Sequence, residues 1–201
     1  MEVLILNASP RAPKSNSKKY ASIFSKYCKV KTSYHNISKT NHLEICSYFE
    51  NYSDVLLVFP LYADAIPVTL LNFFKTLEEN PPENKPTVSV LINCGFIEHY
   101  QNDVAIKMVK LFCKENNFKF GSVLKIGSGE AILETPFKVL SVNKIKKLSK
   151  SITNKKYAEF KVTMPLTKNM FVKASTSYWL SLGNKNSITK EQMETMKIED
   201  K

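Results

Sequence analysis

Residues 7–17, Asn-Ala-Ser-Pro-Arg-Ala-Pro-Lys-Ser-Asn-Ser, concentrate hydroxyls (Ser9, Ser15, Ser17), an amide (Asn16) and one guanidinium (Arg11) in a short span. Donors of this kind around a fixed cation suit the holding of an anion. Four apolar residues, Val3 to Leu6, precede the span, and Tyr20, Ile23, Phe24 and Tyr27 follow it at helical spacing. A buried strand that feeds such a loop into a helix start would place free N–H groups and the positive end of the helix dipole beside those hydroxyls. The same pattern also suits an ordinary strand–helix turn whose serines cap the helix. This loop alone leaves both readings open.

The positioning elements follow in a regular order. Residues 29–37 alternate as a half-exposed strand, and 41–52 carry a helical apolar stripe. Residues 54–60 and 87–93 are continuous apolar runs of the kind that parallel strands bury on both faces, and 120–126 is the last predicted strand. Pro67 suits the first turn of the helix that carries Leu70, Leu71, Phe74 and Leu77. Helices over about 102–116 and 137–153 complete a βαβαβαβαβα order. Alternation of this kind implies an α/β sandwich with a parallel sheet between two helix layers, and five strands point to the order 2-1-3-4-5. That order sets the 9–17 loop beside the Pro60–Pro67 loop, with the Asn93–Glu98 loop alongside. Residues 1–154 are expected to form this domain. Residues 155–201, with Met164-Pro165, Gly183 and a short helix from about Thr189, read as a basic arm packed on it or extending from it.

Asn7-Ala8-Ser9-Pro10-Arg11 with Ser15-Asn16-Ser17, Pro60-Leu61-Tyr62 with Pro67 and Leu70, and Asn93-Cys94-Gly95-Phe96 fall at the three crevice loops. Together they resemble the flavodoxin-like, NAD(P)H-dependent FMN reductases and quinone reductases, over roughly residues 1–150. The resemblance implies a flavodoxin-like three-layer sandwich with FMN as cofactor and NAD(P)H as co-substrate. It implies that Ser9, Arg11, Asn16 and Ser17 hold the FMN phosphate. Pro60, Leu61, Tyr62 and Ala63 would line one side of the isoalloxazine ring, with Asn93, Cys94, Gly95 and Phe96 at its pyrimidine end. It also implies a homodimer and a small-molecule acceptor: a quinone, a nitro or azo compound, or free flavin. The hydride chemistry belongs to the cofactor, and no catalytic side chain is assigned. The chain departs from flavodoxins proper in lacking glycine in the phosphate loop and in being basic. Two alternatives stand beside the oxidoreductase: a flavoprotein that carries electrons between proteins, and a non-enzymatic module that binds an anionic partner through its basic C-terminal third.

Composition narrows the classes. At 201 residues and 43% hydrophobic content the chain suits one globular domain. It has no apolar run of the roughly 20 residues that a membrane span needs, and no basic leader before the first strand, so no membrane association or signal peptide is expected. The four cysteines are widely spaced with no CxxC pair. That excludes a local zinc or iron–sulfur motif, leaves no expected metal, and fits reduced thiols in a cytoplasm. Cys94 has no neighbouring charge in sequence to make it a nucleophile, Asp64 suits a helix start, and His99 and Tyr100 are expected at the surface. Of the net charge of +11, residues 138–201 carry 14 basic against 5 acidic side chains. Nearly all the basic residues are lysines with no nucleic-acid motif among them, so nucleic acid is not an expected partner.

Overall fold

The computed structural model describes residues 2–12 and 14–195. The chain divides into two compact units, one up to Met164 and one from Pro165. In the first, β1 (Glu2–Asn7), β2 (Lys31–Asn36), β3 (Asp54–Pro60), β4 (Thr87–Asn93), β5 (Phe120–Ile126) and β6 (Glu159–Val162) form one sheet in the order β2-β1-β3-β4-β5-β6. Every neighbouring pair is parallel. The expected five-strand order is present, and a sixth strand extends it beyond residue 154.

The strands behave as their composition dictates. In β1, β3 and β4 nearly every residue is buried, whereas β2 at the edge is half-exposed. The pairing of β4 with β5 slips between Val88 and Val90, where the Ser122 N–H donates to Ser89 Oγ (3.0 Å). Gly121 permits this close approach, because a Cβ there would lie 2.5 Å from Ser89 Oγ.

Helices α1 (Asn16–Tyr27), α2 (His42–Phe49), α3 (Val68–Glu79), α4 (Asp103–Glu115) and α5 (Lys138–Thr153) cover the two faces. Phe49 of α2, Phe73 and Phe74 of α3, and Val109 of α4 belong with Leu4, Leu6, Leu57, Phe59 and Ile92 to one core, against which the half-buried Phe112 of α4 packs. The Phe74 and Phe112 rings stack at 4.0 Å at its margin. Helices α1 and α5 lie on the other face, tied by the Ser149 hydroxyl donating to the Tyr27 carbonyl (3.3 Å) and by Lys146 Nζ lying 4.4 Å from the Tyr27 ring centroid. The chain moves across the sheet in the same direction from β3 to β4 as from β5 to β6. Yet α3 and α5 lie on opposite faces, so β5–α5–β6 crosses with the opposite hand to β3–α3–β4, against the strong preference for one hand. Lys125 of β5 anchors the added strand through Glu159 (2.5 Å) and also pairs Asp103 of α4 (2.9 Å).

The second unit contains α6 (Lys168–Lys185) and α7 (Lys190–Glu194). Thr189 caps α7 reciprocally with Gln192, at the short helix expected from Thr189. Gly183 lets the chain fold back: a Cβ there would meet Met193 Sδ at 2.5 Å. The longer α6 has no counterpart in the sequence reading. Among the described residues no helix is long and apolar enough to cross a membrane, and no group of His, Cys, Asp or Glu side chains is placed to hold a metal ion.

Candidate functional site

Asparagines end three of the strands, and two of them build the crevice. Asn7, at the end of β1, is fully buried. Its Oδ1 accepts the Ser9 N–H (3.0 Å), and its Nδ2 faces Ser15 Oγ (3.4 Å), Tyr34 Oη (2.9 Å) and Asn36 Oδ1 (3.2 Å). One amide therefore clasps both ends of the 9–15 loop. Asn93, at the end of β4, donates through Nδ2 to Ser17 Oγ (3.1 Å) and to the Phe59 carbonyl (3.2 Å), fixing the start of α1 against the ends of β3 and β4. The Tyr20 hydroxyl donates to the Gly129 carbonyl (2.8 Å), which ties α1 to the loop after β5.

A cavity of about 520 Å³ opens at this corner, lined by residues that include Ser9, Arg11, Asn16, Ser17, Pro60 and Asn93. Its donors are set by what the protein leaves unused. Ser9 Oγ accepts from the Arg11 N–H (3.3 Å), Ser15 Oγ from the Lys18 N–H (3.1 Å), and Ser17 Oγ from Asn93. None of these three hydroxyls donates its own proton to a protein group among the described residues. The Lys18 and Lys19 N–H groups bond to Ser15, whereas those of Asn16 and Ser17, at the helix start, lack an intrahelical partner. Three hydroxyl protons and two backbone N–H groups thus converge where the helix dipole is positive. Ser15 also caps the helix, so the two readings of this loop coexist in one residue.

Six of the twelve expected site residues line this cavity; the others do not. Leu61 is half-buried, and Tyr62, Ala63, Gly95 and Phe96 are exposed on the loops after β3 and β4. Cys94 is buried with its thiol turned inward, accepting from Asn102 Nδ2 at 3.4 Å, and burial pushes the thiol pKa up. The sequence reading omitted Lys14, Lys18, Lys19, Ser22 and Glu130 from the site, yet all five line the cavity. Gly129 was the available signal for Glu130: a Cβ there would lie 2.8 Å from Asn93 Cβ, so glycine brings the loop after β5 against the end of β4.

The loop after β3 folds as a two-residue hairpin. Tyr62 and Ala65 exchange backbone hydrogen bonds (3.1 and 3.0 Å), with Ala63 at φ 46° and Asp64 at φ 57°. Asp64 is thus a turn residue rather than a helix-start carboxylate. Asp tolerates the left-handed region, while Ala is strained there by about 1–2 kcal/mol. Ala63→Gly is expected to raise stability by about 0.5–1 kcal/mol, read as a higher urea midpoint with unchanged slope; a lower midpoint would exclude strain at this turn.

His99 begins the 3-10 turn that leads into α4 and is half-buried rather than at the surface. Burial, then Lys125 and Lys161, hold its pKa below the usual value, against opposing pulls from Asp103 and Glu159. The unfolded chain takes up this proton near pH 6.5, where the native imidazole resists it. Stability is therefore expected to fall as the pH drops from about 6.5 towards the native pKa, then level off. Urea midpoints of wild type and His99→Gln, compared across that window, should converge as the pH falls; parallel profiles would refute the shift.

No protein-family model and no curated protein sequence matches the chain. Solved structures do. The NAD(P)H:quinone oxidoreductase of Methanothermobacter marburgensis superposes with a TM-score of 0.59 at 12% identity, covering 76% of this chain and 97% of that one. An FMN-dependent NADH-azoreductase of Bacillus anthracis, solved with FMN, gives 0.54 at 15% identity over 75% and 98% of the two chains. A flavodoxin of Streptococcus pneumoniae TIGR4 gives 0.57 at 12% identity over 77% and 99%. At such identities the likeness is one of architecture: the chain has a flavodoxin-like fold.

Proposed function

We propose that this protein is an FMN-dependent oxidoreductase that takes a hydride from NAD(P)H and delivers it to a small acceptor such as a quinone, a nitro or azo compound, or free flavin. The observation that carries this reading is the cluster of hydroxyls on Ser9, Ser15 and Ser17, whose protons go to no protein group among the described residues, beside the Asn16 and Ser17 N–H groups that lack an intrahelical partner and the Arg11 guanidinium. A phosphate monoester dianion fits that donor set in charge and in number of acceptor oxygens. FMN held there would supply the hydride transfer itself. The protein's own part is to bind and orient. Asn7 and Asn93 hold the phosphate-facing loop and helix start, and Tyr62 and Phe96 offer exposed aromatic faces on the neighbouring loops. Glu130 puts a carboxylate at the cavity rim, and a bound dianion has to be turned away from it. The FMN named for the azoreductase neighbour agrees with this choice of cofactor, and the name of the quinone oxidoreductase neighbour with a quinone as acceptor.

Exposed Tyr62, Val68, Leu71, Phe96, Tyr100 and Val104, on the loops after β3 and β4 and the helices that follow, support a homodimer beside the crevice. Sedimentation equilibrium tests that assembly.

Titration with FMN, followed by fluorescence quenching, tests the cofactor, with riboflavin as the phosphate-free control. FMN is expected to bind saturably and riboflavin much more weakly. Arg11→Ala combined with Ser17→Ala should weaken FMN by about tenfold or more and leave riboflavin unchanged. Absence of saturable quenching by FMN would overturn the reading. Oxidation of NAD(P)H with a quinone in the same preparation tests the reaction.

A further inference from the structure

The molecule's charge is divided between its two helix layers. Helices α1 and α5 carry Lys18, Lys19, Lys26, Lys138, Lys144, Lys146, Lys147 and Lys150 and not one carboxylate. On the opposite face, α2, α3 and α4 carry four lysines against five acidic residues and are close to neutral. Lysines spread only for solubility have no reason to collect on one layer, where eight like charges repel one another. Among the described residues of this helix layer, Lys19 finds a partner in Glu134 (2.6 Å).

We infer that the α1/α5 face is a docking surface for an acidic protein. Its chemistry favours carboxylates over phosphates. Every cation on the two helices is lysine, a hydrated point charge suited to steered, readily reversible encounters. Arginine, the residue that grips phosphate in a fork, occurs once in the chain, at Arg11 in the crevice loop. Tyr27 lies at the junction of the two helices, about one-third exposed (36%), with Lys26 Nζ at 5.8 Å and Lys146 Nζ at 4.4 Å from its ring centroid. A rigid aromatic flanked by two cations is a suitable central anchor for a protein interface. The face runs without a break into the candidate cofactor cavity, because Lys18 and Lys19 line that cavity too. A partner seated here therefore lies alongside the crevice. The inference rests on charge placement and stands whether or not the crevice binds FMN.

Two charge-reversal variants of equal net change test it. One is Lys144→Glu, Lys146→Glu, Lys147→Glu and Lys150→Glu on α5; the other is Lys75→Glu, Lys107→Glu, Lys110→Glu and Lys114→Glu on α3 and α4. The probe is labelled poly-L-glutamate, read by fluorescence anisotropy at about 0.15 M salt, a condition that screens diffuse attraction. Poly-L-glutamate should bind the wild type, lose about tenfold or more in affinity to the α5 variant, and lose less than about threefold to the α3/α4 variant. Tyr27→Ala should weaken binding without any change in charge. The four-fold lysine-to-glutamine variant of α5 repeats the test with helix formers should the reversal impair folding, as monitored by circular dichroism. Equal losses from the two layers would show a response to net charge alone and overturn the inference. Tighter binding of a short DNA duplex, or of phosphatidylserine vesicles, at the same salt would overturn it in favour of that other surface.

Discussion

Replacing Tyr20 by alanine is expected to lower the unfolding free energy by about 3–5 kcal/mol, the range for emptying a buried aromatic site. Tyr20 is fully buried on the inner side of α1. Its neighbours Ala21 and Phe24 are equally enclosed, so little can collapse into the space. The hydroxyl adds a separable part. It donates to the Gly129 carbonyl, and burial raises the phenol pKa far above its usual value, so the group acts only as a neutral donor. Tyr20→Phe keeps the ring and leaves that carbonyl unpaired, at a cost of about 1–2 kcal/mol. Urea titrations of the two variants separate ring from hydroxyl. The phenylalanine variant also has a functional signature. Releasing Gly129 frees the loop that holds Glu130 at the cavity rim, so FMN affinity should change while riboflavin affinity does not. A loss below about 1 kcal/mol in the alanine variant would mean that α1 is not packed on the sheet as described.

How much of this was legible in the sequence depends on where the physical signal sits. Buried parallel strands announce themselves: Val3 to Leu6, Val55 to Phe59 and Val88 to Ile92 have no other plausible fate than a covered sheet. Strand β6 announces nothing. It is four residues long, alternates Glu159 and Lys161 with Phe160 and Val162, and is reached by a crossover of the disfavoured hand. Helix α6 was missed for a related reason: Met170, Val172, Tyr178, Trp179 and Leu182 remain exposed, so they mark no single buried stripe. At the crevice, hydroxyls and Arg11 crowd a local segment, and local chemistry is what a sequence displays. Side-chain direction is not. Nothing in Asn93-Cys94 says that both side chains turn inward, towards Ser17 and Asn102. The basic C-terminal third was likewise visible only as a composition. Folding joins its α5 lysines to those of α1, 120 residues earlier at Lys18 and Lys138, and makes one face of two distant segments.

Asn7 is expected to show how strongly the crevice depends on one buried amide. Asn7→Leu preserves size but strands the buried Ser9 N–H and releases Ser15 and Tyr34, at an expected cost of about 2–4 kcal/mol. Tyr34 retains its bond to Asn36 Oδ1 (2.6 Å), so the edge strand stays paired and the damage concentrates in the 9–15 loop. Asn7→Asp asks a different question. The carboxylate is nearly isosteric and still accepts the Ser9 N–H, but it faces Asn36 Oδ1 with no proton to give and sets a negative charge beneath the hydroxyls. Burial and the adjacent carbonyl oxygen would raise its pKa above that of an ordinary aspartate. Its folded pKa then exceeds the unfolded one, so the variant is most stable below the unfolded value and loses that stability as the pH rises through the folded value. The proton on the introduced carboxyl also decides the anion's fate. Between about pH 5 and 8 the wild-type affinity for FMN relative to riboflavin should vary little beyond the titration of the phosphate itself. The aspartate variant should lose that preference at the upper end and regain it at the lower, while the leucine variant should show a reduced preference at every pH. If Asn7→Asp binds FMN as well as wild type at high pH, the phosphate does not lie over this loop.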